Sequence, residues 1–418
     1  MAKSNVSLRV ARNAKNDEFY TRYEDIVREI DAYYEYDYDA FRDKTVLCPC
    51  DDPEWSNFTR YFATNFQRLG LKKLISTSYA YSAGNRRLTL CEKDSPHYDA
   101  NKHATHGKVF TLAGNGSGKT TTGTDDTTTR SGSTATIEFS GYLEGDGDFR
   151  SDEITALRDE ADIIITNPPF SLFREFLAWI MEAGKQFVII GNKNAITYKE
   201  VFPLLKDNRI WVGTTAPKEF IIPATMTERK NTYIREDGTV IAKFGNICWF
   251  ANIDHGLRHQ PLRLDTMAHN LKFNKKLRRK LENDYGMLEY PRYDNYDAIE
   301  IPFVECIPSD YDGVMGVPIT FMDKYAPCQF EIVGATESEG SGFSCGIWHE
   351  RSKVPQPMVH DRRIYKRIFI RPRNRQDDER PSQKVSGQAW DGTGREHGDV
   401  MSKRLASLAD NTMEDGMR

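Results

Sequence analysis

Ala161-Asp162-Ile163-Ile164-Ile165-Thr166-Asn167-Pro168-Pro169-Phe170, followed at once by Ser171-Leu172-Phe173-Arg174-Glu175-Phe176-Leu177, sets a buried strand, a rigid turn and a helix in immediate succession. Three consecutive β-branched apolar residues predict a short strand covered on both faces, as at the centre of a parallel sheet. Leu172, Phe173, Phe176, Leu177 and Ile180 recur at helical spacing, and Ser171 is the expected N-cap. The class predicted is α/β, an open sheet with helices on both faces. In such sheets ligands bind at the carboxyl ends of the strands, where Asn167 falls.

The turn itself suits one kind of chemistry. Pro168 and Pro169 fix φ at two successive positions and remove two backbone donors, leaving a stiff bend rich in acceptors. The amide oxygen of Asn167 and the carbonyl of Pro168 can take both protons of an NH2 group while Phe170 stacks on the heterocycle that carries it. Asn is neutral, so it would orient the nitrogen lone pair toward an electrophile and not act as a general base. The bland alternative is a Pro-rich turn with an ordinary Asn and a buried Phe; the strand before it and the helix after it weigh against that.

Asn167-Pro168-Pro169-Phe170 is similar to the catalytic Asn-Pro-Pro-aromatic motif of S-adenosylmethionine-dependent amino methyltransferases. Further segments carry the likeness: Asn16-Asp17-Glu18-Phe19-Tyr20-Thr21, Cys50-Asp51-Asp52-Pro53 with Ser56-Asn57-Phe58, Gly145-Asp146-Gly147-Asp148-Phe149-Arg150, Gly191 to Lys199 and Tyr311 to Pro318. Together they resemble the EcoRI-type adenine-specific DNA methyltransferase family over residues 10 to 340. The resemblance implies a Rossmann-like methyltransferase sheet, S-adenosylmethionine as cofactor, double-stranded DNA as partner and N6 of an extruded adenine as methyl acceptor. It makes Asn167, Pro168, Pro169 and Phe170 catalytic. It also implies that Asp17, Phe19 and Tyr20 close over the methionine end of the cofactor, and that Asp148 and Phe149 meet its adenine. Where a glycine-rich turn is usual, this chain has Asp51 and Asp52, whose carboxylates can reach the cationic methionyl portion.

Composition sets the frame. A chain of 418 residues predicts two domains with appendages. Seven Cys, an odd number with no Cys-x-x-Cys pair, predict reduced thiols in a cytoplasm and no structural zinc or other metal site. No apolar run approaches a membrane span, and the N-terminal residues lack a signal-peptide pattern. The net charge of -4 removes bulk attraction to phosphate, so DNA contact would fall to local clusters, Lys272 to Lys280 and His360 to Arg375. Each cluster reads equally as a solvated face.

Along the chain, Phe19, Tyr23, Ile26 and Ile30 predict one amphipathic helix, and Thr45-Val46-Leu47-Cys48 and Leu74 to Tyr79 the first two core strands. Residues 111 to 136 are a Thr/Gly-rich loop; the octet Ala113 to Thr120 imitates a P-loop, but Thr120 to Ser133 cannot supply the helix a P-loop needs. Strands are expected at Ile137 to Tyr142, Lys185 to Gly191 and Asn246 to Asn252. His103/His106 and His255/His259 read as surface histidines. We expect a catalytic domain over 1–254, a target-recognition region over 255–372, and a polar tail over 373–418. A monomer acting on duplex DNA, with a cognate restriction endonuclease or a phage protection role, is the expected context. Alternatives are the same chemistry on RNA or on protein glutamine, and a DNA-binding protein without catalysis.

Overall fold

The computed structural model describes residues 19–50, 52–80, 95–114, 137–222, 231–336 and 356–373. Asp17, Asp51, most of the Thr/Gly-rich loop and the tail beyond residue 373 therefore lie outside the described residues. The described chain begins with β1 (Tyr20–Thr21), α1 (Tyr23–Tyr36), β2 (Thr45–Cys50), α2 (Asn57–Thr64), α3 (Phe66–Leu69), β3 (Lys73–Ser78), β4 (Lys108–Ala113) and β5 (Glu138–Tyr142). It continues through α4 (Asp152–Glu160), β6 (Ile163–Thr166), α5 (Phe173–Glu182), β7 (Gln186–Asn192), α6 (Phe202–Lys206), β8 (Trp211–Val212), β9 (Glu219–Ile221), β10 (Thr232–Ile234), β11 (Val240–Lys243) and β12 (Ile247–Ala251). Last come α7 (Met267–Phe273), α8 (Lys275–Tyr285), β13 (Ile299–Glu300), β14 (Met315–Pro318), β15 (Phe330–Ala335), β16 (Met358–Val359), β17 (Arg362–Arg363) and β18 (Arg367–Pro372).

Eight strands form the central sheet in the order β5-β4-β3-β2-β6-β7-β12-β8. Its middle, β3, β2, β6 and β7, is parallel. The flanking strands β4, β5, β12 and β8 pair antiparallel. The period-two alternation of β6 explains why it is apolar throughout. Ile163 and Ile165 pack with Ile26, Ile30, Phe58 and Phe62 beneath one face, while Ile164 joins Phe173, Phe176, Leu177 and Ile180 on the other. Helices thus cover both faces, as predicted, and each buried Ile side chain contributes about 1.5–3 kcal/mol of transfer free energy.

Strand order positions the site. From β2 the chain steps outward to β3 and β4, then returns to the other flank of β2 as β6 and β7. The reversal opens a crevice between the carboxyl ends of β2 and β6, the place where doubly wound sheets bind ligands. There Thr166 donates its hydroxyl proton to the carbonyl of Pro49 and ties the two strand ends together.

Beyond β12, a four-stranded sheet (β13-β14-β18-β15) packs with Leu277, Leu281 and Tyr285 of α8. These residues share a hydrophobic cluster with α5 and the central sheet. All described residues belong to one compact unit that ends at Arg373. Among the described residues no helix is long and apolar enough to cross a membrane.

Three local expectations need correction. Phe19 precedes the helix: α1 starts at Tyr23, and the residues before it are drawn into β1 by antiparallel pairing of Tyr20 with Ile221 and Thr21 with Phe220. Ser171 caps nothing, because the bend after Pro169 first makes a 3-10 turn, Phe170–Leu172, closed by Leu172 N–H to the Pro169 carbonyl at 2.9 Å. The α-helix follows with Leu172 at its N-cap. His255 is buried, its Nε2 bonded to the Val212 carbonyl at 3.1 Å and its ring edge-on to Tyr33, so its spacing from His259 has no bearing on metal binding.

Candidate active site

Asn167 follows the last residue of β6 and is 8% exposed. Its Nδ2 donates to the backbone carbonyl of Phe19 at 2.5 Å. A carbonyl can only accept, so this bond fixes which end of the amide faces Phe19. Oδ1 is turned the other way, and among the described residues it has no hydrogen-bond partner. A buried acceptor left in that state costs about 1–3 kcal/mol until a donor reaches it.

Aromatic rings close round it. Phe170 stacks on Phe19 with ring centroids 5.5 Å apart and planes inclined by 22°. Phe220 of β9 meets both edge-on, at 6.3 Å from Phe19 and 6.5 Å from Phe170, and Phe244 meets Phe19 at 4.8 Å. Phe19 is 5% exposed and Phe170 half-buried. The segment carrying Phe19 is stapled on both sides of β1: Asn57 Nδ2 donates to the Thr21 carbonyl at 2.8 Å, and Arg22 pairs with Glu219 at 2.7 Å. Tyr20, half-buried in β1, sits beside this nest.

Across the crevice, β2 ends at Cys50 with φ at 99°. Only glycine adopts that region without cost, and a side chain there stores of order 1–3 kcal/mol. Cys50 thus makes the sharp bend that a glycine-rich turn would otherwise supply. Next to it, Asp52 and Glu54 converge on Lys108 of β4, with Asp52 Oδ2 at 3.1 Å from the ammonium. Ser95 Oγ donates to Glu54 at 2.5 Å. Burial raises the Asp52 carboxyl above the usual range, and Lys108 opposes that shift. Sequence pattern does not single out Glu54 and Lys108; the one available signal is Lys108 at the head of the strand face it shares with Phe110 and Leu112.

The Gly145 to Arg150 turn lies over the end of β3. Ala80 N–H donates to the Asp146 carbonyl at 2.6 Å, and a Cβ at Gly147, whose φ is +83°, would fall 2.1 Å from the Ser78 carbonyl. Glycine is required by both space and conformation. Asp148 is held in a fork by Arg150, at 2.8 Å from Nε and 2.6 Å from Nη2. Phe149 is 6% exposed, its ring packed against Phe176 at 5.0 Å and Trp179 at 5.6 Å. The structure therefore gathers Asn167, Phe170, Phe19 and Tyr20 into one nest and Asp52 across the switch point. Asp148 and Phe149 border the crevice from the β3 side with partners of their own.

The basic clusters divide. Arg367 is half-buried on Glu300 (2.6 Å), Arg371 pairs with Glu331 (2.8 Å), Arg362 with Asp284 (3.0 Å) and Lys276 with Glu305 (2.9 Å). Lys275, Arg278, Arg279 and Arg363 are exposed. Near the β7 end, Tyr365 OH donates to Asn194 Oδ1 at 2.7 Å and Lys366 to Thr197 at 2.8 Å, so the segment before β18 docks beside the carboxyl end of β7. Among the described residues no cluster of His, Cys, Asp and Glu could hold a metal ion.

Comparison with known proteins shows the family. Residues 7–373 match the model of the family described as adenine-specific methyltransferase EcoRI. The chain is similar to the Type II methyltransferase M.EcoRI of Escherichia coli, 41% identical over 79% of this chain and 89% of that protein. It is also similar to the Type II methyltransferase M.MpnI of Mycoplasma pneumoniae, 33% identical over 77% of this chain and 83% of that protein. A third relative, M.MgeORF184P of Mycoplasma genitalium, is 32% identical over a similar span. No solved structure is matched. The chain belongs to the EcoRI family of adenine-specific methyltransferases.

Proposed function

We propose that this enzyme transfers a methyl group from S-adenosylmethionine to N6 of adenine in duplex DNA, at a specific site, after extruding the base. The observation that carries this is the buried Oδ1 of Asn167, an acceptor with no donor among the described residues, beside a stacking ring. An exocyclic amine offers the missing N–H.

The crevice residues suit the cofactor: a strand end bent sharply at Cys50, and carboxylates at the switch point where a cationic amino acid head must be held. Asp52, with Asp17, Tyr20 and Asp51, would hold the methionyl end; Asp148 and Phe149 would lie toward the adenosine. When bound, S-adenosylmethionine supplies a methyl group already activated on a sulfonium. The protein's own work is alignment. Asn167 Oδ1 and the Pro168 carbonyl accept the two amine protons, turning the nitrogen lone pair toward the methyl carbon. Extrusion costs a few kcal/mol, and stacking on Phe170, worth about 1–3 kcal/mol, offsets much of it. The half-buried Pro169 keeps the turn from relaxing when the amine leaves.

The region over 255–372 would read the target, with exposed Arg278, Arg279 and Arg363 on phosphates and Tyr365 carried to the catalytic edge. A cognate endonuclease is the natural counterpart of such a mark. The test is to express the chain in cells free of adenine methylation and map N6-methyladenine in their DNA. Modification at one recurring sequence is expected; methyl incorporated only into RNA or protein would overturn the assignment.

A further inference from the structure

Family resemblance would place Phe19 against the cofactor, but its geometry points to a different partner. Its ring stacks on Phe170, the residue assigned to the target base, and its carbonyl holds the amide of Asn167. We propose that Phe19 is a substrate-contacting residue: its ring stands where the extruded adenine stacks and becomes the second plate of the grip, while its carbonyl sets the Asn167 rotamer. The proposal rests on the base-extrusion chemistry above and names a residue that this chemistry does not require.

Three observations carry it. First, the two rings are stacked at 5.5 Å, whereas a heterocycle sandwiched between two rings needs about 7 Å, twice the contact distance of carbon atoms. Phe19 must move off Phe170 by a small amount for a base to enter, and a ring that moves so little ends on the base's far face. Second, Phe220 and Phe244 meet Phe19 edge-on at 6.3 and 4.8 Å, so aromatic edges line its path and its contacts change without loss of apolar surroundings. Third, the backbone is anchored immediately after it. Thr21 is bonded to Asn57, β1 is paired with β9, and Arg22 is clamped by Glu219. The carbonyl bond to Asn167 can therefore persist while the side chain rotates, and Oδ1 stays directed at the incoming amine.

The free protein thus fills its own base site with a phenyl ring. Water is kept off the unpaired Oδ1, and the apolar face of Phe170 is kept covered, until a planar base arrives. The same ring then adds a second stacking surface, so both faces of the adenine are bound.

The experiment uses the full chain and the variants Phe19→Ala, Phe19→Leu and Phe19→Tyr. Cofactor affinity is measured by titration calorimetry with S-adenosylmethionine, and kcat and KM for DNA are measured with unmethylated DNA. Thermal melting of each variant reports folding. Loss of one stacking surface lowers kcat/KM for DNA about 5- to 150-fold in Phe19→Ala and Phe19→Leu. Cofactor Kd stays within about 3-fold, and Phe19→Tyr recovers most of the activity. Phe19→Leu keeps apolar bulk, so a loss there with an unchanged melt is a loss of stacking. If cofactor Kd rises in step with the activity loss and saturating cofactor restores turnover, Phe19 is a cofactor wall and the proposal fails. If Phe19→Ala retains full kcat/KM, the ring is a bystander and it fails also. An inactive wild type would bring down the base-extrusion chemistry itself, an outcome distinct from either.

Discussion

Glu29 and Asn167 are both buried acceptors, and they differ in how fully they are satisfied. Glu29, on α1, accepts from Tyr33 OH (2.8 Å), from the amide (2.8 Å) and hydroxyl (3.0 Å) of Thr214, and from the amide (2.7 Å) and hydroxyl (2.6 Å) of Thr215. Asn167 Oδ1 accepts nothing among the described residues. The Glu29 network pins the chain that leads into β9, and so fixes the backbone that carries Phe220. Arg367 is satisfied in the same manner, forked on Glu300 at 3.0 and 2.6 Å, with Tyr293 OH donating to the same carboxylate. Glu29 and Glu300 are saturated and hold the scaffold; Asn167 Oδ1 is one of a few buried side-chain atoms among the described residues without a partner, and the proposed chemistry gives it a donor from the substrate.

That contrast can be broken at several points. The largest effect on stability is expected at Arg367. Arg367→Ala leaves Glu300, 1% exposed, as an unpaired buried charge and should cost about 3–5 kcal/mol in urea unfolding. The double change Arg367→Met with Glu300→Leu should recover most of it, since a satisfied structural pair can be replaced by apolar groups of like volume. No apolar replacement at Asn167 should recover turnover.

Glu29→Ala should lose roughly 3 kcal/mol, because two buried amides at Thr214 and Thr215 are left unpaired. Methyl transfer should fall with it only as far as the Phe220 edge shifts, which activity measured well below the melting temperature will separate.

His255 gives a pH test. Burial depresses its imidazole to about 4, below the ordinary value near 6.5. The unfolded chain therefore binds more protons between those two values, and stability falls as pH drops through that window. Between pH 7.5 and pH 5 the loss should be about 2 kcal/mol from this residue. His255→Phe should flatten that part of the pH profile, and an unchanged slope would reject the assignment.

The smallest effect is expected at Cys50. Cys50→Gly relieves a side chain at φ 99° and should alter stability by only about 1 kcal/mol, in the stabilising direction, with cofactor binding retained. A tenfold loss of cofactor affinity would show that the thiol itself is needed.

These points also explain what was legible in the sequence. The β6 strand, its turn and the covering of both sheet faces follow from local patterns, since Ile163 to Ile165 leave no polar side. The site's second half does not. Phe19 sits at helical spacing from Tyr23 and Ile26, yet pairing of its neighbours with Phe220 and Ile221, two hundred residues on, takes it out of the helix. Long-range pairing leaves no trace in a local window. The double proline predicts a bend, and the 3-10 turn that follows Pro169 displaces the helix start past Ser171. Glu29 was readable in hindsight: it lies on the same stripe as Ile26, Ile30 and Tyr33, and an acid on an apolar stripe must find donors.

The proposed chemistry turns on Asn167 Oδ1 taking a proton of the adenine amine in a hydrogen bond. Its most direct test is single-turnover transfer of labelled methyl from S-adenosylmethionine to adenine in unmethylated DNA, by wild type and Asn167→Ala, with cofactor affinity measured on the same preparations. We expect transfer to fall at least about 10²-fold while cofactor affinity stays within about 3-fold. Near-normal transfer by Asn167→Ala would contradict it.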